Sequence, residues 1–398
     1  MELAKHHGSA DDRPTLAVVV VGAVYQDVIL HVDRFPDEDT KKRAQRVEYR
    51  RGGNGGNTLA VLAQLHSLAP AYAMQLSMAA AFPGSPPAAA SSPPDAASPP
   101  PPSDPATLAT SPVADLLSRS VHLGASVFRG PGTPQPAAFI IATPTSRTII
   151  NQNDLHDLQA AEFSARALPR IEACLRSHPR SRAWVHFEGR SVDQISGMAA
   201  ALHGLRRALA DPHIPDALLG RLTISIEFEK PDRDGLAELL PLADVCFFSK
   251  LWAARHGPAA ASEDQARTPA LYLAHLAAGT SAAHLAHAVA PHAHLFATWG
   301  EAGAYYARAA SAQPTSTDAA PVAHAPAPPI AAVDTIGAGD TFIAGTIFGM
   351  AALHLDGPDA ARFAVRLASA KCAQHGFDGI EPAARHAAAE IASASIGS

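Results

Sequence analysis

Residues 15–24 form an unbroken apolar run rich in β-branched side chains, the pattern of a central parallel strand covered on both faces. The run ends in Gly22-Ala23-Val24-Tyr25-Gln26-Asp27, which would deliver Asp27 to the strand's C-terminal edge, where open α/β sheets bind ligands. Residues 28–33 and, after a turn at Phe35-Pro36-Asp37, the charged alternation of residues 41–51 predict a strand pair with one wet face. Such a pair is stable only with further cover, from a lid arrangement or a second subunit. A helix is predicted over residues 58–66.

Further on, strands are predicted at residues 136–142 and 147–150, 184–190, 222–228, 243–248 and 294–299, with amphipathic helices near 191–209 and 232–240. Helices near 339–353, 358–375 and 381–394 close the chain. Strand alternating with helix predicts an α/β fold with a parallel sheet and helices on both faces. Three stretches fall outside this pattern. Residues 1–14 are polar and read as a disordered tail. Residues 82–112 are Pro/Ala/Ser-rich and read as a disordered insertion within the domain, dispensable over residues 84–108. Residues 310–329 are a further Pro/Ala/Ser-rich segment.

Composition narrows the function classes. A net charge of −6 over 398 residues gives no electrostatic footprint for nucleic acid. Residues 15–24 are too short for a membrane span, which needs about twenty apolar residues, and lack the flanks of a signal peptide. Cys174, Cys246 and Cys372 are odd in number and widely spaced, which points to a reducing compartment such as the cytoplasm and not to a disulfide framework. The histidines lie mostly in alanine-rich segments, as His275, His284 and His287 do, and read as surface helix positions.

Candidate chemistry gathers at two glycine-rich stretches. Val333-Asp334-Thr335-Ile336-Gly337-Ala338-Gly339-Asp340-Thr341-Phe342 is a glycine turn opening a helix, where unpaired amides and the helix dipole favour a phosphate. A carboxylate there suits removal of a proton from a hydroxyl that attacks the phosphate, which assigns Asp340 as a base. Arg51-Gly52-Gly53-Asn54-Gly55-Gly56-Asn57 allows close backbone approach and brings paired amide donors and acceptors. Each stretch taken alone is equally an ordinary device: a glycine turn capped by an aspartate, or a loop capped by Asn57. Gly300-Glu301-Ala302-Gly303 adds a second glycine turn at a strand end. Together with Asp27 and Arg147, these features suit phosphate transfer from a nucleotide to a polyhydroxylated acceptor.

Gly52-Gly53-Asn54-x-x-Asn57 and Asp334-Thr335-x-Gly337-Ala338-Gly339-Asp340 resemble the two signatures of the ribokinase-like, or pfkB, carbohydrate kinases. Within that family Trp184-Val185-His186-Phe187-Glu188-Gly189-Arg190, Glu227-Phe228-Glu229-Lys230-Pro231 and Lys371-Cys372-x-x-x-Gly376-Phe377-Asp378-Gly379 are similar to its fructose-phosphorylating members. The resemblance implies a three-layer α/β/α sandwich over residues 15–396 with a mostly parallel central sheet. It also implies a small β-sheet lid from residues about 28–33, 42–50 and 136–151. Asp27, Gly53, Asn54 and Asn57 match sugar-binding positions; Asp340 matches the catalytic base, and Gly337, Ala338 and Gly339 the anion hole. Arg147, Gly300, Glu301, Ala302 and Gly303 match nucleotide positions, and Cys372 lies where the adenine pocket closes. The implied substrates are D-fructose, phosphorylated at its C1 hydroxyl, and ATP with Mg²⁺. K⁺ activation is common in the family, and the resemblance also implies a homodimer built through the lid. Other acceptors (ribose, another sugar, a nucleoside) and a non-catalytic sugar sensor stay open at this stage. Two departures stand out: the 82–112 insertion, and Ser249-Lys250-Leu251-Trp252 in place of the N-x-x-E motif that helps place Mg²⁺, which leaves the metal ligands unassigned.

Overall fold

A computed structural model describes residues 13–87, 111–210, 220–257, 269–278, 288–310 and 321–396. Among them β1 (Thr15–Val21) lies between β4 (Ala73–Ala79) and β9 (Arg182–Phe187), followed laterally by β10 (Leu222–Phe228), β11 (Val245–Phe248) and β12 (His294–Thr298). All these neighbours pair in parallel; β13 (Ala304–Arg308) and β14 (Val322–Ala325) extend the edge antiparallel, completing an eight-stranded sheet.

The unbroken apolar run of β1 has a direct cause. Leu16, Val18 and Val20 point into one core and Ala17, Val19 and Val21 into another, so both faces of the strand need apolar side chains. The first core is closed by α1 (Asn54–Leu65), α2 (Pro112–Ser118), α8 (Ala338–Ala351), α9 (Gly357–Cys372) and α10 (Glu381–Ile396). The second is closed by α3 (Ala160–Arg166), α4 (Leu168–Ser177), α5 (Val192–Leu209), α6 (Lys250–His256) and α7 (Pro269–Ala277). The result is the expected three-layer α/β/α sandwich.

A separate four-stranded sheet stands over the C-terminal ends of the parallel strands, in the order β3 (Arg46–Gly52), β2 (Tyr25–His31), β7 (Ala137–Ala142), β8 (Arg147–Gln152). Its register sorts the side chains. Asp27, Ala138 and Asn151 share one face with Ile29, Ile140 and Ile149, and this face lines the cavity below. The other face carries Val47, Tyr49, Phe139 and Ile150, with relative exposures of 45%, 50%, 43% and 59%. The wet face of this sheet is therefore wet but apolar.

Several boundaries differ from the sequence reading. The first strand stops at Val21, and Asp27 lies on the lid strand β2, opposite Arg50 and Ala138, not at the end of β1. Helix α1 starts at Asn54, four residues before the predicted start at Thr58, with Gly53 at its cap and no side-chain cap bond. Asn57 is thus an interior helix residue and not a cap. Residues 232–240 form no amphipathic α-helix; a 3₁₀ segment, Leu236–Leu242, takes their place, with Pro241 inside it. Strand β4 was not predicted, and β14 falls within the Pro/Ala/Ser-rich segment 310–329. Phe82 belongs to a two-residue strand, Ala81–Phe82, paired with Val127–Phe128, and Ser111 caps α2. Residues 88–110 of the insertion, residues 1–12 of the tail, residues 311–320, His284 and His287 lie outside the described residues.

Candidate active site

Helix α8 begins at a turn that only glycine fits. Gly337 sits at φ +78°, and a Cβ there would overlap the Phe377 ring. The first intrahelical bond runs from Thr341 N–H to the Gly337 carbonyl at 2.9 Å, so the amides of Gly339 and Asp340 have no helical partner, while Ala338 N–H donates to the Thr335 carbonyl at a long 3.3 Å. Asp340 is on this first turn and is buried. Its Oδ2 accepts a hydrogen bond from Asn57 Nδ2 at 2.7 Å. Burial pushes its pKa up to about 7; Asn57 and Arg51 restrain the rise, and the nearby Glu229 and Glu188 add to it.

Behind the turn, Asp334 ties the glycine loop to two other elements. Its carboxylate binds Arg50 Nη1 at 3.1 Å and Lys371 Nζ at 3.0 Å, and accepts from the amides of Ile336 and Gly376. Burial opposes its charge, but Arg50 and Lys371 outweigh that and hold its pKa down to about 2. Lys371 is fully buried and also donates to the Asp334 carbonyl at 2.7 Å.

On the lid, Asp27 is buried too. Burial lifts its pKa to about 6, against the pull of Arg50 and Arg51. The Gly52-Gly53 pair follows from this packing: a Cβ on Gly52 would overlap the Asp27 carboxylate, and Gly53 at φ +88° lies against the Ala23 carbonyl. Asn54 Nδ2 donates to Glu227 (3.1 Å to Oε2) and to Glu229 Oε2 at 3.3 Å. Glu227 is buried, so desolvation, with Glu229, Asp340 and Glu188 close by, raises its pKa well above the usual range. Arg147 on β8 donates to Thr335 Oγ1 at 2.8 Å and so joins lid to glycine loop.

Asp27, Gly53, Asn54, Asn57, Arg147, Gly337, Ala338, Gly339 and Asp340 all line one cavity of about 570 Å³. The other positions expected to bind nucleotide do not. Gly300, Glu301 and Ala302 form a 3₁₀ turn closed by Gly303, beyond Phe296 and Thr298, where the lining ends. Cys372 is outside it as well, its carbonyl accepting from the amides of Val333 and Asp334 at 2.7 and 3.1 Å. Ser249 lines the cavity and caps α6 through Trp252 N at 3.0 Å, while Trp252 is buried against Tyr272. Among the described residues no three His, Cys, Asp or Glu side chains converge as a metal site.

The sequence reading missed Glu188, Arg190, Glu227 and Glu229 as cavity residues. Their signal was available: Glu188, Arg190 and Glu229 stand just beyond the C-terminal ends of β9 and β10 and Glu227 is the penultimate residue of β10, the same rule applied to Asp27. Tyr25 was missed as well; its hydroxyl accepts from Asn153 Nδ2 at 3.2 Å, and its ring lies under the Arg190 guanidinium.

Comparison with known proteins agrees with this geometry. A pfkB family carbohydrate kinase model matches residues 261–384. Ketohexokinase of Mus musculus is 29% identical over 365 residues, covering 91% of this chain and 98% of that protein. Among solved structures, ribokinase from Giardia lamblia matches with a TM-score of 0.63 at 15% identity, over 94% of this chain and 99% of the other. Arabidopsis thaliana ribokinase complexed with ribose and ATP matches with a TM-score of 0.58 at 17% identity, over 95% and 98%. The structural matches establish a ribokinase-like fold.

Proposed function

We propose that this sugar phosphotransferase, which carries a pfkB carbohydrate kinase domain on a ribokinase-like fold, is a ketohexokinase moving the terminal phosphate of ATP to the C1 hydroxyl of D-fructose. One observation carries the reading. Asp340, a buried carboxylate with a pKa near 7, faces the same cavity as Asp27 and Asn54, on a helix turn whose leading amides have no helical partner. The likeness to ketohexokinase along nearly the whole chain supports the choice of acceptor.

In this reading Asp27 and Asn54 hold the sugar hydroxyls, with Asn57 beside them. Asp340 takes the C1 proton as the hydroxyl oxygen bonds to the terminal phosphorus and the bond to the departing ADP oxygen breaks. A base with a pKa near the working pH combines a useful ionised fraction with useful basicity. The amides at Gly337, Ala338 and Gly339 stabilise charge on the phosphoryl group in transit. Arg147 reaches the phosphates from the lid, and the adenine extends past Thr298 toward the residue 300–303 turn and Cys372.

Glu227 and Glu229 on the cavity wall are hard oxygen donors that would hold a hydrated Mg²⁺ arriving with the nucleotide. When bound it would neutralise phosphate charge. K⁺ activation is part of the proposal through family likeness alone. The apolar outer face of the lid supports a homodimer built through that sheet. Free Cys174, Cys246 and Cys372 support a cytoplasmic place of work, and among the described residues no helix is long and apolar enough to cross a membrane.

The test is ADP release against fructose, other ketoses, ribose and nucleosides, with the product's phosphorylated carbon located by NMR. Fructose should give the highest kcat/KM and a C1 phosphate. Preference for ribose or a nucleoside would move the acceptor while keeping the chemistry, and absence of ADP release with every acceptor would leave a sugar-binding protein.

A further inference from the structure

Arg51 has no place in the phosphate chemistry above, yet it is the most deeply placed guanidinium near the base. Its side chain is 3% exposed, and burial alone works against its charge. A buried arginine is costly to leave without partners. Here Nε donates to Asp115 Oδ2 at 2.6 Å, Nη1 donates to Asn57 Oδ1 at 2.8 Å, and Cζ lies 5.8 Å from the Phe377 ring centre. Asp115 is shared with Arg119, which reaches Asp378 at 2.7 Å.

The chemistry of the donors fixes what this contact does. Guanidinium carries only donors, so it takes the carbonyl oxygen of the Asn57 amide. The amide's NH₂ is then turned the other way, toward Asp340, which it meets at 2.7 Å. Without Arg51 the amide has two nearly isosteric orientations, one of which sets its oxygen against the carboxylate. Arg51 removes that choice.

On the reading of Asp340 as the base, we infer that Arg51 is a positioning residue: held by Asp115, it locks the Asn57 amide so that an N–H faces the catalytic carboxylate, and Asp115–Arg51–Asn57 thereby sets the base's orientation and proton affinity. The charged groups facing Asp340 are Glu188 beyond β9, Glu227 and Glu229 at the end of β10, and Arg51 on β3. Three of these four are acids that favour the protonated base. Arg51 and its amide relay are the counterweight on the opposite side.

The experiment is the pH profile of kcat, with KM for fructose and for ATP, in the full-length chain and its Arg51→Met, Arg51→Lys and Asn57→Ala variants. Arg51→Met should move the acidic limb of kcat upward by about one pH unit, the usual size of a lost neighbouring charge and hydrogen bond. Turnover below the limb then falls about ten-fold, since only the ionised base works, and KM for ATP is unchanged. Arg51→Lys, which keeps a donor and a charge, should recover part of the shift. Asn57→Ala breaks the same link without touching the buried charge and should move the limb the same way. The double variant Arg51→Met/Asn57→Ala should move it no further than the larger single. Should Arg51→Met not fold, Asn57→Ala and Arg51→Lys carry the test. A limb unmoved in the soluble variants, with activity lost only in proportion to folded protein, overturns the inference. Normal turnover in Asp340→Asn would instead overturn the assignment of the base itself, whatever the Arg51 variants do.

Discussion

Asp340→Asn should cost most of the turnover and at the same time stabilise the protein, in a pH-dependent way. In the folded chain the carboxyl pKa rises from an ordinary 3.8 to about 7. Stability linked to that group is intact below pH 3.8 and is lost as pH rises through about 7, because the native state resists the charge that the unfolded chain accepts freely. About three pKa units at 1.36 kcal/mol each gives up to about 4 kcal/mol at pH 8. Asparagine keeps the shape and an acceptor oxygen for Asn57 but never ionises, so the variant escapes this penalty. Urea unfolding of both proteins at pH 5 and pH 8, at fixed ionic strength, measures it. The variant's advantage should grow by roughly 2–4 kcal/mol between the two pH values, while turnover at pH 8 drops by about 10²–10⁴, as for a lost general base. An advantage of equal size at both pH values would refute the argument that burial of Asp340 raises its proton affinity.

Three other outcomes are expected. Asp27→Ala should raise KM for fructose strongly and leave ATP affinity unchanged, which isothermal titration with each ligand separately can check. Ile150→Glu together with Tyr49→Lys, on the apolar outer face of the lid, should convert a dimer to a monomer in light scattering, without unfolding the central sheet. Removal of residues 88–108 should leave kcat within a few-fold; the cut stops short of Gly84, whose amide and carbonyl both bond to Gly130, at 2.9 and 3.0 Å.

Strand β1, the later parallel strands and α8 to α10 were legible because burial on both faces, or on one helical stripe, writes a long signal into local sequence. Strand β4 was not: AMQLSMA carries weak β-propensity and gains its place by pairing with β1. Asp27 was found for a reason that needed correction. The apolar run ends close to the lid's first residues, and sequence cannot mark where the chain leaves one sheet for another. Asn57 looked like a cap because caps are local. Its actual partners, Arg51 and Asp340, include one 283 residues away. Glu227 and Glu229 looked like part of a family-like stretch, and only the approach of α1 to the end of β10 brings Asn54 against them.

The lid and the glycine turn of α8 meet at the cavity, where Ile336 packs on the lid's small core and Arg50 and Arg147 reach Asp334 and Thr335. Ala138, Ile140, Ile149 and Asn151 face the cavity from β7 and β8, apart from the side chains that hold Asp334 and Asp340. Under the proposed function, acceptor preference can therefore be altered at these positions apart from the base. Changes at these four inward positions can redraw the substrate range by short steps, each leaving Asp340 and its supports intact. An engineer seeking a new sugar would vary these four lid positions and leave Asp27, Arg50, Arg51, Arg147 and the α8 turn alone.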